Sequence, residues 1–269
     1  MIEFIKLARR RGVTADLIHT IINVVFATAT IVLTAVFDTP WPAIFLIVLS
    51  KWRVIAVRPR YWWVNLLSSL PDLIFGVGLA VISWNCGQQA ELYIASGEGL
   101  IISHTTLQII LGLIYVIWLV AIKPKHSETM VAFQALSSQI VGLTAVFTFA
   151  YELPLIIVMA LSFVVTFSSA RQVIGLYEEK DRDLLATVWG LLMMELAFVS
   201  WHWGVTYQLT PLIHIPQIAI IAAVTSTIAY RVYQAWHDDR RVTWDELGIP
   251  IIFTIVVTLL VVFLFSGLY

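Results

Sequence analysis

The sequence predicts an all-α protein: a polytopic integral membrane bundle of nine transmembrane helices, with the N-terminus cytoplasmic and the C-terminus outside. Three observations predict it. The first is composition. The 269 residues are 60% hydrophobic and only 12% charged, whereas an ordinary soluble domain carries about 25% charged residues. The second is a series of apolar runs near the roughly 20 residues that a helix needs to cross a bilayer. The third is the sorting of charge. All sixteen lysines and arginines fall at 6–11, 51–60, 123–125, 171–182 and 231–241. Nine spans place every one of those segments on one side. The connections on the other side hold only the acids Asp38, Glu91, Glu98 and Glu152. Cation bias in short loops sets orientation, so the basic side is read as the inside. Trp and Tyr gather at the span ends, as interfacial belts do.

Residues 1–14 form a basic amphipathic segment, with Phe4, Ile5 and Leu7 apolar beside Lys6, Arg9, Arg10 and Arg11. It either lies on the inner surface or only signals topology. Residues 15–269 form one bundle. No cleavable signal is expected, because the first apolar run is full-length and lacks a small-residue cleavage site.

The first span, 15–37, carries Asp16, His19, Asn23, Thr30 and Thr34 on one stripe, a pattern that reads as helix packing. The second, 41–57, holds Lys51 and Arg53 in its inner third. Snorkelling to the headgroups is the preferred reading for both; the competing one is that Lys51 reaches Asp72 on the next helix. The third span, 62–84, places Asn65, Ser69, Asp72, Gly76 and Ser83 on one helical face. An acidic outer loop, 85–98, follows. The fourth span, 99–122, carries His104, Gln108, Gly112 and Tyr115 on one face. The fifth, 129–150, carries Gln134, Ser138 and Gly142. The sixth is 153–170. The seventh, 184–204, holds Glu195 at mid-depth and His202 near its outer end. An outer turn containing His214 leads to the eighth span, 215–234, and the ninth is 249–268.

Two inner corners read alike: residues 55–60 (IAVRPR) and 120–125 (VAIKPK), each followed by Leu-Ser-Ser at 67–69 and 136–138. They raise an internal duplication of parallel orientation, against chance similarity between apolar sequences.

Asp72 and Glu195 are the sharpest chemical features. A carboxylate at the bilayer centre costs at least ~2.5 kcal/mol, so a proton, a cation, a hydrogen-bonding partner or water must offset it. One reading is proton or cation coupling; the other is a protonated carboxyl serving as helix glue. Asn65, Ser69, Gln108, Gln134 and Gln139 would line a polar core with them. Arg58, Arg60, Lys123 and Lys125 would meet phospholipid headgroups, although the positive-inside rule already accounts for each. His104, His202 and His214 are weak metal candidates only, because no HxxxH or HxxE spacing joins them. No metal and no cofactor are expected. The final helix has no lysine for a retinal Schiff base, and no GxSxG or HExxH motif supports proteolysis. The single cysteine, Cys86, excludes an intramolecular disulfide.

The leading expectation is an integral plasma (inner) membrane protein of bacterial type that moves a small solute or ion with its mid-membrane carboxylates. The alternative is a non-catalytic structural subunit or scaffold of a larger membrane complex. A lipid-acting or redox enzyme ranks below both, and enzymatic activity is not expected. The expected partners are the bilayer and further copies or other members of a membrane complex, with no nucleic acid.

Overall fold

The computed structural model describes residues 20–37, 39–51, 59–95, 103–177, 179–239 and 244–264. The basic segment 1–14 and Arg58 lie outside them. The described residues are nearly all helical, at 85%. Among them, six helices are long and apolar enough to span a membrane. In chain order the helices are α1 (Thr20–Val36), α2 (Trp41–Ser50), α3 (Trp62–Ala95), α4 (His104–Ile117), α5 (Glu128–Thr148), α6 (Leu155–Ile174), α7 (Arg182–Trp203), α8 (Gln217–Asp239) and α9 (Trp244–Leu259). The six long segments are α3, α4 with its continuation to Ile122, α5, α6 with its continuation to Tyr177, α7 and α8. Shorter apolar helices, Thr20–Val36, Trp41–Ser50 and Gly248–Leu259, fall where the first, second and ninth spans are expected.

Each long helix is apolar all round or nearly so, the pattern of a segment buried in lipid or protein. Many large apolar side chains stay exposed on the outer faces, among them Ile109, Leu113, Ile156, Val188, Leu192 and Phe253. In water such a surface would be untenable; in hydrocarbon it is the solvated state. The buried faces are instead rich in small and hydroxyl residues, which let helices approach closely. Gly78 of α3 shows this best. A Cβ there would lie 2.6 Å from Val141 Cγ1 and 2.9 Å from the Val141 carbonyl oxygen of α5. Gly190 of α7 similarly faces Phe163 of α6.

Two cores result. One joins α5, α6, α7 and α8 through Leu143, Val165, Met193, Ala197, Ile218 and Ala222. The other joins α1, α3 and α4 through Ala27, Phe75, Leu79, Tyr115 and Trp118. α3 and α5, in close contact at Gly78, link the two. The stripe expected on α1 is in part a packing contact: Thr34 meets Ser83 of α3 through their hydroxyls at 3.2 Å.

Two connections differ from the sequence reading. Residues 85–95 continue α3 as helix rather than forming a loop, so α3 runs 34 residues, about 51 Å at 1.5 Å per residue. The reason is cover. Cys86 and Ala90 are fully buried under Leu107 and Leu212, which gives that end of the helix a packing partner. The expected turn around His214 is an antiparallel hairpin, β1 (Thr206–Thr210) with β2 (Ile213–Pro216). Its tip folds Leu212 back onto α3, where the Cys86 thiol donates to the Leu212 carbonyl at 3.4 Å. The first of the two similar inner corners lies largely outside the described residues.

Candidate functional site

The strongest polar constellation is built around Asp72. It follows Pro71, which the helix accommodates within its length, as transmembrane helices can where neighbours re-satisfy the freed carbonyl. Three groups from two other elements converge on its carboxylate. Lys51, at the C-terminal end of α2, donates to Oδ2. Lys123, at the end of the fourth helical segment, donates to the same oxygen at 2.5 Å. Trp118 donates its indole N–H to Oδ1 at 2.9 Å. The Asp72 side chain is 13% exposed and that of Lys51 15%. The preferred expectation for Lys51, snorkelling to the headgroups, is therefore replaced by the competing one. Lys123, expected at the headgroups, bonds Asp72 while its side chain stays 41% exposed. The attraction of a buried carboxylate exceeds what a headgroup contact offers, because the local dielectric is low.

The backbone prepares this convergence. Residues Trp118–Ile122 form a π-helical turn, closed by the Lys123 N–H bonding to the Trp118 carbonyl at 2.8 Å. On a regular α-helix, positions five apart point in widely different directions. The wider i→i+5 turn brings residues 118 and 123 over one another, so both reach the same carboxylate. Single π-turns recur at such sites. Trp118 is 1% exposed and stacks on Phe75, one turn along α3 from Asp72, at 3.7 Å between ring centroids. Sequence reasoning missed Trp118. The available signal was a tryptophan within a span rather than at its end, since a buried indole N–H usually needs an acceptor.

Glu195 has a different setting. It lies near the middle of α7 on the exposed face, flanked by Leu191, Leu192, Phe198 and Val199, each at least 40% exposed. The opposite face of α7, with Ala186, Gly190, Met193 and Ala197, is the buried one. Among the described residues Glu195 has no hydrogen-bond or ion-pair partner. Asp72 and Glu195 therefore sit in separate places, and neither lines the larger cavities.

The amides expected in one polar core form three separate knots. Gln108 donates to the Ser83 carbonyl at 3.2 Å. Gln134 donates to the carbonyls of Ile122 and Lys125 at 2.8 and 3.1 Å and accepts from Gln172 at 3.0 Å, closing the end of the π-turn. Gln139 pairs with Ser226 of α8. Ser69 donates to the Leu66 carbonyl of its own helix, and Asn65 is half-buried in the first turn of α3.

The remaining candidates are dispersed. Arg60 is exposed, with its guanidinium over the Tyr61 ring, and Lys125 is exposed. His104 begins α4. His202 bonds the Phe198 carbonyl through Nδ1 at 3.0 Å, among the rings of Phe198, Trp201 and Trp203. His214 pairs across the hairpin with Gln208, and burial pushes its imidazole below the ordinary range. Among the described residues no group of three or more His, Cys, Asp and Glu side chains could hold a metal ion.

The apolar helices make this a membrane-embedded protein. Compared with protein-family models, curated proteins and solved structures, the chain matches none.

Proposed function

We propose that the protein is a non-catalytic subunit of a larger membrane assembly, held to its partner within the bilayer by the C-terminal half of the outward face of α7, around Glu195 and Val199. The observation that carries this reading is Glu195: a carboxyl at the centre of an exposed apolar face, without a partner among the described residues. A charge so placed is costly in hydrocarbon. A neighbouring transmembrane helix that brings a hydrogen-bond donor to the same depth would remove that cost. Small and polar residues drive such association in lipid, where apolar contact alone discriminates poorly.

What supports this reading over solute movement is the fate of the other carboxylate. Asp72 is already neutralised by two lysines and an indole, and it shares no cavity with Glu195. The sorting of cations in the sequence supports an inside N-terminus.

Site-specific photocrosslinking from position 199 in native membranes tests the proposal. The wild type should give one discrete heavier adduct, and Glu195→Leu should remove it while the protein still inserts. A wild type that crosslinks only to lipid, combined with Glu195-dependent dissipation of an ion gradient in liposomes, would restore the transport reading.

A further inference from the structure

A cleft of about 270 Å³ lies between α5, α6, α7 and α8, near the lower end of the range for ligand sites. Its walls are aliphatic and aromatic, with Trp189, Tyr230 and Tyr233 supplying flat surfaces. Leu185, Val188 and Leu192 line it from α7 and are each at least 40% exposed. The cleft therefore opens sideways, to the surface that faces lipid. Among the described residues no charged side chain lines it; Arg231 lines the smaller cavity that adjoins it at Ser169 and Tyr230.

Its polar residues include Gln139, which is 1% exposed. One amide N–H of Gln139 donates to Ser226 Oγ at 2.9 Å, and the Ser226 hydroxyl returns a bond to Gln139 Oε1 at 3.1 Å. The second amide N–H has no acceptor among the described residues. A buried donor left without an acceptor is destabilising, and Gln139 is among the residues that line the cleft. Ser169, also buried, is committed to the Ala135 carbonyl at 2.9 Å.

These features specify a ligand. It arrives through the bilayer, so it carries an apolar chain. Its head is uncharged, because no lining group would balance a charge; phospholipids and fatty acids are disfavoured on that ground. The head offers an acceptor to Gln139, and a flat ring suits the aromatic walls. We infer that the cleft binds the head of a membrane-dissolved quinone, with one quinone carbonyl accepting from the Gln139 amide and the tail leaving past α7 into lipid.

The test uses the full chain in phosphatidylcholine nanodiscs, titrated with a decyl-chain quinone and read by quenching of tryptophan fluorescence. Saturable quenching is expected, and Trp189→Phe should reduce its amplitude. Ala229→Phe, which fills the cleft, should weaken binding at least tenfold. Gln139→Leu should weaken it about tenfold, as loss of one hydrogen bond near 1.4 kcal/mol implies, and it decides alone if Ala229→Phe fails to fold. The inference is overturned if quenching does not saturate, if decanol displaces the quinone at equal concentration, or if Gln139→Leu binds as the wild type does.

Discussion

Asp72 and Glu195 are the same kind of feature in sequence, one carboxylate within a long apolar run, and they meet opposite fates in the fold. Asp72 turns into the bundle and gains two ammonium groups and an indole N–H. Glu195 turns outward among leucine, valine and phenylalanine. The first is an internal fastening that ties α2, α3 and the fourth helical segment together. The second contributes nothing to the fold of the single chain that the described residues show. A carboxylate in a membrane helix is thus a demand for a partner, and the difference lies in whether the chain supplies that partner itself.

The largest expected effect tests that difference directly. Asp72→Leu strips the shared partner from two lysines and should cost about 3–5 kcal/mol, the range for breaking a buried ion pair from one side. Thermal melting in mild detergent should show it, and replacing Lys51 and Lys123 with leucine in the same chain should recover most of the loss. Glu195→Leu, in the same assay, should leave the melting temperature of the isolated protein unchanged or slightly higher. If both single variants melt alike, the contrast between the two carboxylates is wrong.

A smaller effect is expected at Gly78. Gly78→Val forces side-chain atoms against the Val141 backbone and should cost about 1–3 kcal/mol by overpacking, read by the same melt. It sharpens the comparison by separating damage to helix packing from loss of the ion pairs. Trp118→Phe keeps a ring against Phe75 but removes the N–H donor to Asp72. A loss at the lower end of the range of about 1.5–3 kcal/mol for a hydrogen bond to a charged group is expected, with Lys51 and Lys123 still in place. The smallest effect belongs to Arg171 and Asp183, which pair at 2.7 Å where α6 leads into α7. Asp183 is 61% exposed, so Asp183→Asn should cost no more than about 1 kcal/mol, and the difference should shrink further in high salt.

Much of the architecture was legible because its cause is compositional. Six long apolar helices stand where runs of apolar residues stand, and their ends fall within a few residues of the expected positions for α4, α5 and α7. The extension of α3 through Ala95 was not legible. NCGQQAELYIA has the polarity of a loop, and only the cover provided by Leu107 and Leu212 makes it a buried helix face. The hairpin at 206–216 was missed for a related reason, since a short polar segment between spans carries little periodicity to read.

The site was less legible than the fold. Asp72 and Lys51 could be named from their positions, but Trp118 and Lys123 could not be assigned to them. Their convergence depends on a π-turn, and no residue pattern in WLVAI announces one. The amides Gln108, Gln134 and Gln139 look like one polar lining in sequence, yet each satisfies a different backbone or side chain. Helical periodicity reports which residues share a face. It does not report which neighbour that face meets.

By itself the sequence determined that this chain lives in a membrane, that its segments are helical, and that its cations cluster in a few short segments outside the middles of the apolar runs. Those properties follow from local composition and from the cost of placing polar backbone and charge in hydrocarbon. The tertiary structure alone decided which carboxylate is satisfied from within and which faces outward. It also opened the cleft beside Gln139. Such outcomes depend on the rotation of each helix about its axis and on the partner across from it, which are set by packing between distant parts of the chain.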